Sequence, residues 1–153
     1  MLQRVCSIAS LWLVLSLAGC REAEDPNLPP LVSAKGTVRL DGKPYSGATV
    51  VFLPAGENMA SPASGFTDAE GKYTLQTLHR GEGAAAGDYR VTISRFVMPD
   101  GSPYQPGPDS PAPIDVGAVE ELAPGYSDPA ASRLTAKVGA TENTIDFDLK
   151  RKP

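Results

Sequence analysis

Apolar and polar residues alternate with a period of two through much of this chain. In Lys35–Leu40, Gly36, Val38 and Leu40 alternate with Lys35, Thr37 and Arg39, as in a half-buried strand. Asp41-Gly42 reads as a turn, since Gly accepts positive φ and Asp can bond its own downstream backbone. Ala48–Leu53 is a continuous apolar run, expected for a strand covered on both faces, and Pro54 closes it by withholding an N–H. Ala63–Thr67 is a short strand, Asp68–Gly71 a tight hairpin turn, and Lys72–Thr77 the returning strand with Tyr73 and Leu75 on one face. Leu78–Gly87 is Gly/Ala-rich and reads as a loop. Asp88–Arg95 points Tyr89, Val91 and Ile93 inward and Arg90, Thr92 and Ser94 outward. Leu134, Ala136 and Val138 form another inward stripe, and Ile145, Phe147 and Leu149 the last. No long amphipathic helix interrupts this, so the expected fold is all-β, a sandwich of about seven short strands. Its core is expected to contain Val50, Phe52, Tyr89, Val91, Ile93, Ile145 and Phe147.

Between the last two stripes and the rest lies Phe96–Ser132, which lacks sustained alternation. It holds eight of the chain's 15 prolines, so it reads as a long insertion that is either functional or unstructured. Val116–Leu122 could add one or two helical turns. Phe96, Met98, Tyr104 and Tyr126 stand among the prolines, a composition suited to contact: aromatics anchor interfaces, and proline reduces the entropy lost on ordering. The alternative is that these side chains fold back over an open edge of the sandwich.

The first residues form an address. Val5–Leu17 is apolar for about the length of a signal-peptide core and too short to span a bilayer. It runs into Leu17-Ala18-Gly19-Cys20, which resembles the lipobox of bacterial lipoproteins. That resemblance implies cleavage before Cys20, lipid on its thiol, and attachment to a membrane through the acyl chains. Arg21 is not the Asp that favours inner-membrane retention, which favours the outer membrane. Residues 1–19 are thus assigned to a signal peptide, 20–33 to the lipidated Cys and a Pro-bearing acidic tether, and 34–150 to the sandwich with its 96–132 insertion. Cys6 leaves with the leader and Cys20 is consumed by lipid, so the mature chain is expected to lack disulfides. The formal charge is −4, one unit more negative once Arg4 is removed. This excludes nucleic acid as the expected partner and leaves membrane binding to the acyl chains.

The pattern G-x-V-x-x-D-G-K-P-x-x-G-A-x-V-x-F from Gly36, followed by T-D-x-x-G-K-Y from Thr67, resembles the transthyretin-like, carboxypeptidase-regulatory-type β-sandwich domain. Pro124–Pro129 with Ser132–Thr135 also resembles a segment of the lipoproteins that carry such domains. The resemblance implies a Greek-key sandwich and no particular activity. Transthyretin-fold hydrolases of hydroxyisourate use several histidines and a C-terminal Tyr-Arg-Gly-Ser, whereas this chain has one histidine, His79, and ends Lys150-Arg151-Lys152-Pro153. No catalytic or metal-binding residue is expected: Ser64-Gly65 lacks the context of a nucleophile elbow, and Asp68/Glu70 and Asp146/Asp148 lack calcium-loop spacing. The expected function is therefore a lipid-anchored, non-enzymatic structural or protein-interaction module of the cell envelope, without cofactors. A carbohydrate-binding module is the alternative, against which Trp12 leaves with the leader and Tyr45, Tyr104 and Tyr126 are scattered.

Overall fold

The computed structural model describes residues 28–151, apart from 57–59, 106 and 108. The leader, Cys20 and most of the expected tether lie outside the described residues. In chain order the strands are β1 (Leu31–Val32), β2 (Ala34–Leu40), β3 (Lys43–Pro44), β4 (Thr49–Pro54), β5 (Ala63–Phe66), β6 (Lys72–Thr74), β7 (Gln76–Thr77) and β8 (Gly81–Glu82). They continue as β9 (Ala84–Ala85), β10 (Gly87–Ser94), β11 (Phe96–Val97), β12 (Pro103–Tyr104), β13 (Val119–Glu120), β14 (Leu134–Val138), β15 (Asn143–Thr144) and β16 (Phe147–Leu149). A 3-10 turn (Pro113–Val116) and the one-turn helix α1 (Pro124–Ser127) lie in the insertion.

Among the described residues these strands make four sheets. The largest has the order β14-β10-β4-β5-β7-β8. The second is built on β2, with β3 and β6 along one edge and β15 and β16, both parallel to β2, along the other. These two sheets face one another in a sandwich-like arrangement. Val50, Phe52, Tyr89, Val91 and Ile93 from the first meet Val38, Leu40, Tyr73, Phe147 and Leu149 from the second in one buried cluster. At its centre the Phe52 ring lies 5.7 Å from Tyr89, 6.2 Å from Phe147 and 6.4 Å from Tyr73, at tilted or edge-on angles that aromatic quadrupoles favour. The remaining sheets are small: β1 with β9, and β12-β11-β13 within the insertion.

The expected core is buried except for Ile145, which is half-buried. The reason is a break in the last stripe. Ile145 N–H still donates to Lys35 O (2.8 Å), but the Ile145 carbonyl turns inward and accepts from the Tyr73 hydroxyl at 2.6 Å. Gly36 makes this possible, since a Cβ there would lie 1.7 Å from Ile145 O. The Asp146 carboxylate then accepts the Thr37 N–H at 2.7 Å, so one side chain replaces the carbonyl that left the ladder. Hence only Phe147–Leu149 of the stripe forms strand β16, and Ile145 sits at the break between β15 and β16.

Other departures have similar causes, and together they make the fold four sheets rather than the single sandwich of about seven strands. Lys72–Thr77 is not one hairpin arm: β6 pairs with β2 and β7 with β5, the chain changing sheets at buried Leu75. Leu78–Gly87 contains β8 and β9, and β9 pairs with Leu31–Val32 at the end of the expected tether. Only one face of β4 is fully buried: Thr49, Val51 and Leu53 are half-exposed on the other. Thr92, expected outward, is only 6% exposed, because Val51 lies across from it and α1 packs on β10. The described part of the insertion forms short strands and turns, with strand β13 where helical turns were expected.

Because Phe52 joins both sheets, Phe52→Ala is expected to cost about 3–5 kcal/mol. Thr135→Ala, at an exposed position of β14, should change stability by no more than about 0.5 kcal/mol. Urea unfolding of both variants measures the contrast.

Candidate functional site

The carboxylate of Glu121 joins the insertion to three distant parts of the sandwich. Glu121, between β13 and α1, accepts the Tyr45 hydroxyl on Oε2 at 3.0 Å, and the same oxygen accepts Arg95 Nη1. Its Oε1 accepts Arg151 Nη2 at 3.2 Å. These partners come from the turn after β3, the end of β10 and the end of the fold, regions far apart in the chain. The Arg95 guanidinium also lies over the Tyr45 ring, 5.3 Å from its centroid, where the π face attracts a cation. Backbone bonds reinforce the joint. Glu121 N–H donates to Arg95 O (2.9 Å), and Glu120 Oε1 accepts the Arg95 and Leu122 N–H groups at 3.0 and 2.9 Å. Gly47 leaves room beside it, since a Cβ there would lie 2.8 Å from Pro103 Cβ.

The electrostatics follow from this geometry. Burial raises the Glu121 carboxyl, but the bonds from Arg95 and Tyr45, with the charges of Arg95 and Arg151, outweigh it and hold the group below its usual pKa. Tyr45 is pushed well above its ordinary value, first by burial and then by its bond to Glu121. Both shifts favour a neutral phenol donating to a carboxylate, an arrangement that braces the joint.

The four expected contact residues fall into two places. Phe96 and Tyr104 are cross-strand partners in the small sheet, Met98 begins the turn that joins their strands, and all three are half-buried. The Tyr104 hydroxyl donates to Pro111 O. Tyr126 stands apart on α1, packed against the core, its hydroxyl within 3.3 Å of Lys150 N and O. Among the described residues of the insertion, the exposed large apolar side chains are Ile114 (84%) and Val119 (66%). Arg95 and Glu121 were not identifiable beforehand, because their partnership spans turns whose approach no local pattern encodes. Phe66, also exposed, did carry a signal: it occupies the outward phase of a strand whose Ala63 and Gly65 face inward.

His79 is exposed in a turn with φ 61°, and no group of three His, Cys, Asp or Glu side chains converges among the described residues. Asp146 and Asp68 are used by backbone N–H groups, Asp68 capping its own turn through Glu70 and Lys72. No family model, no curated protein and no solved structure matches the chain.

The lock has a pH signature. A carboxyl whose folded pKa is depressed contributes stability fully above its unfolded pKa and loses it as pH falls through the folded value. Thermal unfolding of the wild type should therefore weaken more steeply than that of Glu121→Gln between about pH 5 and pH 3. Parallel slopes would remove Glu121 from the brace.

Proposed function

We propose that this chain is a lipid-anchored β-sandwich of the cell envelope, of the transthyretin-like or carboxypeptidase-regulatory-like kind, acting as a non-enzymatic protein-interaction module. The observation that carries this reading is the position of the insertion. The described chain enters at β1, beside the starts of β2 and β10. The insertion is fastened beyond their other ends, through Asp41, Tyr45 and Arg95, with Arg151 closing the joint onto Asp41. An eight-residue strand such as β10 separates the two ends by roughly 26 Å. A tether at one end would then present the insertion away from the membrane, with Ile114 and Val119 outermost and braced against collapse.

Support for the anchor comes from Leu17-Ala18-Gly19-Cys20 and the apolar run before it. Intact-mass measurement of the membrane-extracted protein should find Cys20 as a diacylated N-terminus, and Cys20→Ala should leave an uncleaved or unlipidated chain; a free Cys20 thiol in the wild type overturns the anchor. For the contact, Ile114→Asp with Val119→Asp should leave the melting temperature unchanged and abolish capture of the envelope partner that crosslinks to the wild-type chain. Retained capture by the folded double variant would remove the insertion from the interface.

A further inference from the structure

We propose that the groove on the outer surface between β5 and β6 is an oligosaccharide-binding site. It arises where the chain leaves one sheet for the other: β6 pairs away with β2, and the end of β5 is left uncovered. Beneath the groove two inward positions are glycines, which lets the neighbouring backbones approach closely. A Cβ on Gly65 would lie 2.4 Å from Thr74 O, and the Gly36 site is filled by the Ile145 carbonyl. Buried Tyr73 packs beneath them. The resulting groove holds about 720 Å³, within the range of roughly 300–1,000 Å³ for small-ligand sites.

Its lining matches the two surfaces of a sugar ring. Phe66 is 44% exposed and offers an aromatic face for the C–H side of a pyranose. Around it stand groups that meet hydroxyls: Ser64 and Thr74 donate and accept, Gln76 does both through its amide, and Lys72 donates. None of these four side chains has a hydrogen bond or ion pair among the described residues, so their polar atoms are free for a ligand. One carboxylate shares the groove, Asp68, whose Oδ1 is occupied by the turn. The second cation, Lys35, is paired with Glu142, so the groove lacks the excess positive charge a polyanion would need. A single apolar side chain amid polar ones is likewise too little for a protein hot spot. Neutral saccharide hydroxyls fit both the shape and the charge.

This site is independent of the insertion, and its test is kept separate. The full-length chain, held in a detergent without a sugar headgroup, is applied to an array of oligosaccharides. The wild type should capture a defined subset. Phe66→Ala should weaken that capture at least tenfold, Lys72→Gln should weaken it less, and both should keep the wild-type melting temperature. Ser64→Tyr, which fills the groove from an exposed position, should abolish capture and guards against a folding defect in Phe66→Ala. Ile114→Asp should leave capture intact, whatever its effect on protein partners. Absence of any captured glycan, or capture that survives Ser64→Tyr and the Phe66→Ala/Lys72→Gln pair, would overturn the proposal.

Discussion

The contact on which the rest depends is the closure of two sheets over the Phe52 ring. Phe52 belongs to β4, at the middle of the large sheet, and its neighbours Tyr73 and Phe147 come from strands on opposite edges of β2. The smaller sheet is thereby clamped from both sides onto one side chain. Burial of so much aromatic surface is non-directional, but the tilted ring angles make it selective for one register. A slip of one residue in β4 would exchange Phe52 for Val51 or Leu53 and expose the cluster's centre.

That demand explains the irregularities around it. The second sheet is built of short strands arrayed along β2 and must still curve over the first. It does so by breaking the ladder at Ile145, where Tyr73 and Asp146 each take over part of the hydrogen bonding and Gly36 makes room for the displaced carbonyl. At the opposite edge β6 departs from β5 to join β2, and the gap it leaves is the groove beside Phe66. The same bending that completes the core thus creates the concave surface. An unpaired carbonyl at the Ile145 break would cost about 1–3 kcal/mol, which is why the break is so fully compensated.

The ends of the sandwich are treated differently. One end receives the chain through β1 and β9. The other is covered by an insertion that combines an electrostatic joint, Glu121 gathering Tyr45, Arg95 and Arg151, with apolar packing of Leu122 and Tyr126 on the core. Phe96, Met98 and Tyr104 are half-buried around its small sheet, while Ile114 and Val119 stand exposed. The segment covers that end, and we propose that its outer residues form the presenting surface as well. Its outer residues are free to contact because its inner ones are engaged.

By itself the sequence determined the all-β class, the inward stripes of β4 and β10, and the core members Val50, Phe52, Tyr89, Val91, Ile93 and Phe147. Each is legible because side-chain direction in a strand follows a local period of two, and burial of one face reads directly as alternation. The tertiary structure alone decided where stripes break, which sheet each half joins, and what the proline-rich segment does. Ile145 and Leu75 continue their stripes perfectly in sequence, yet one lies at a ladder break and the other at a change of sheet, since pairing is chosen by the strand across and not by the residue itself. The Glu121 lock was hidden for the same reason, its partners lying 26, 30 and 76 residues away. Thr92 appeared polar and outward until a helix from that distant segment lay against its strand. Local alternation fixes which way a side chain points, and only the assembled sheets fix what it meets there.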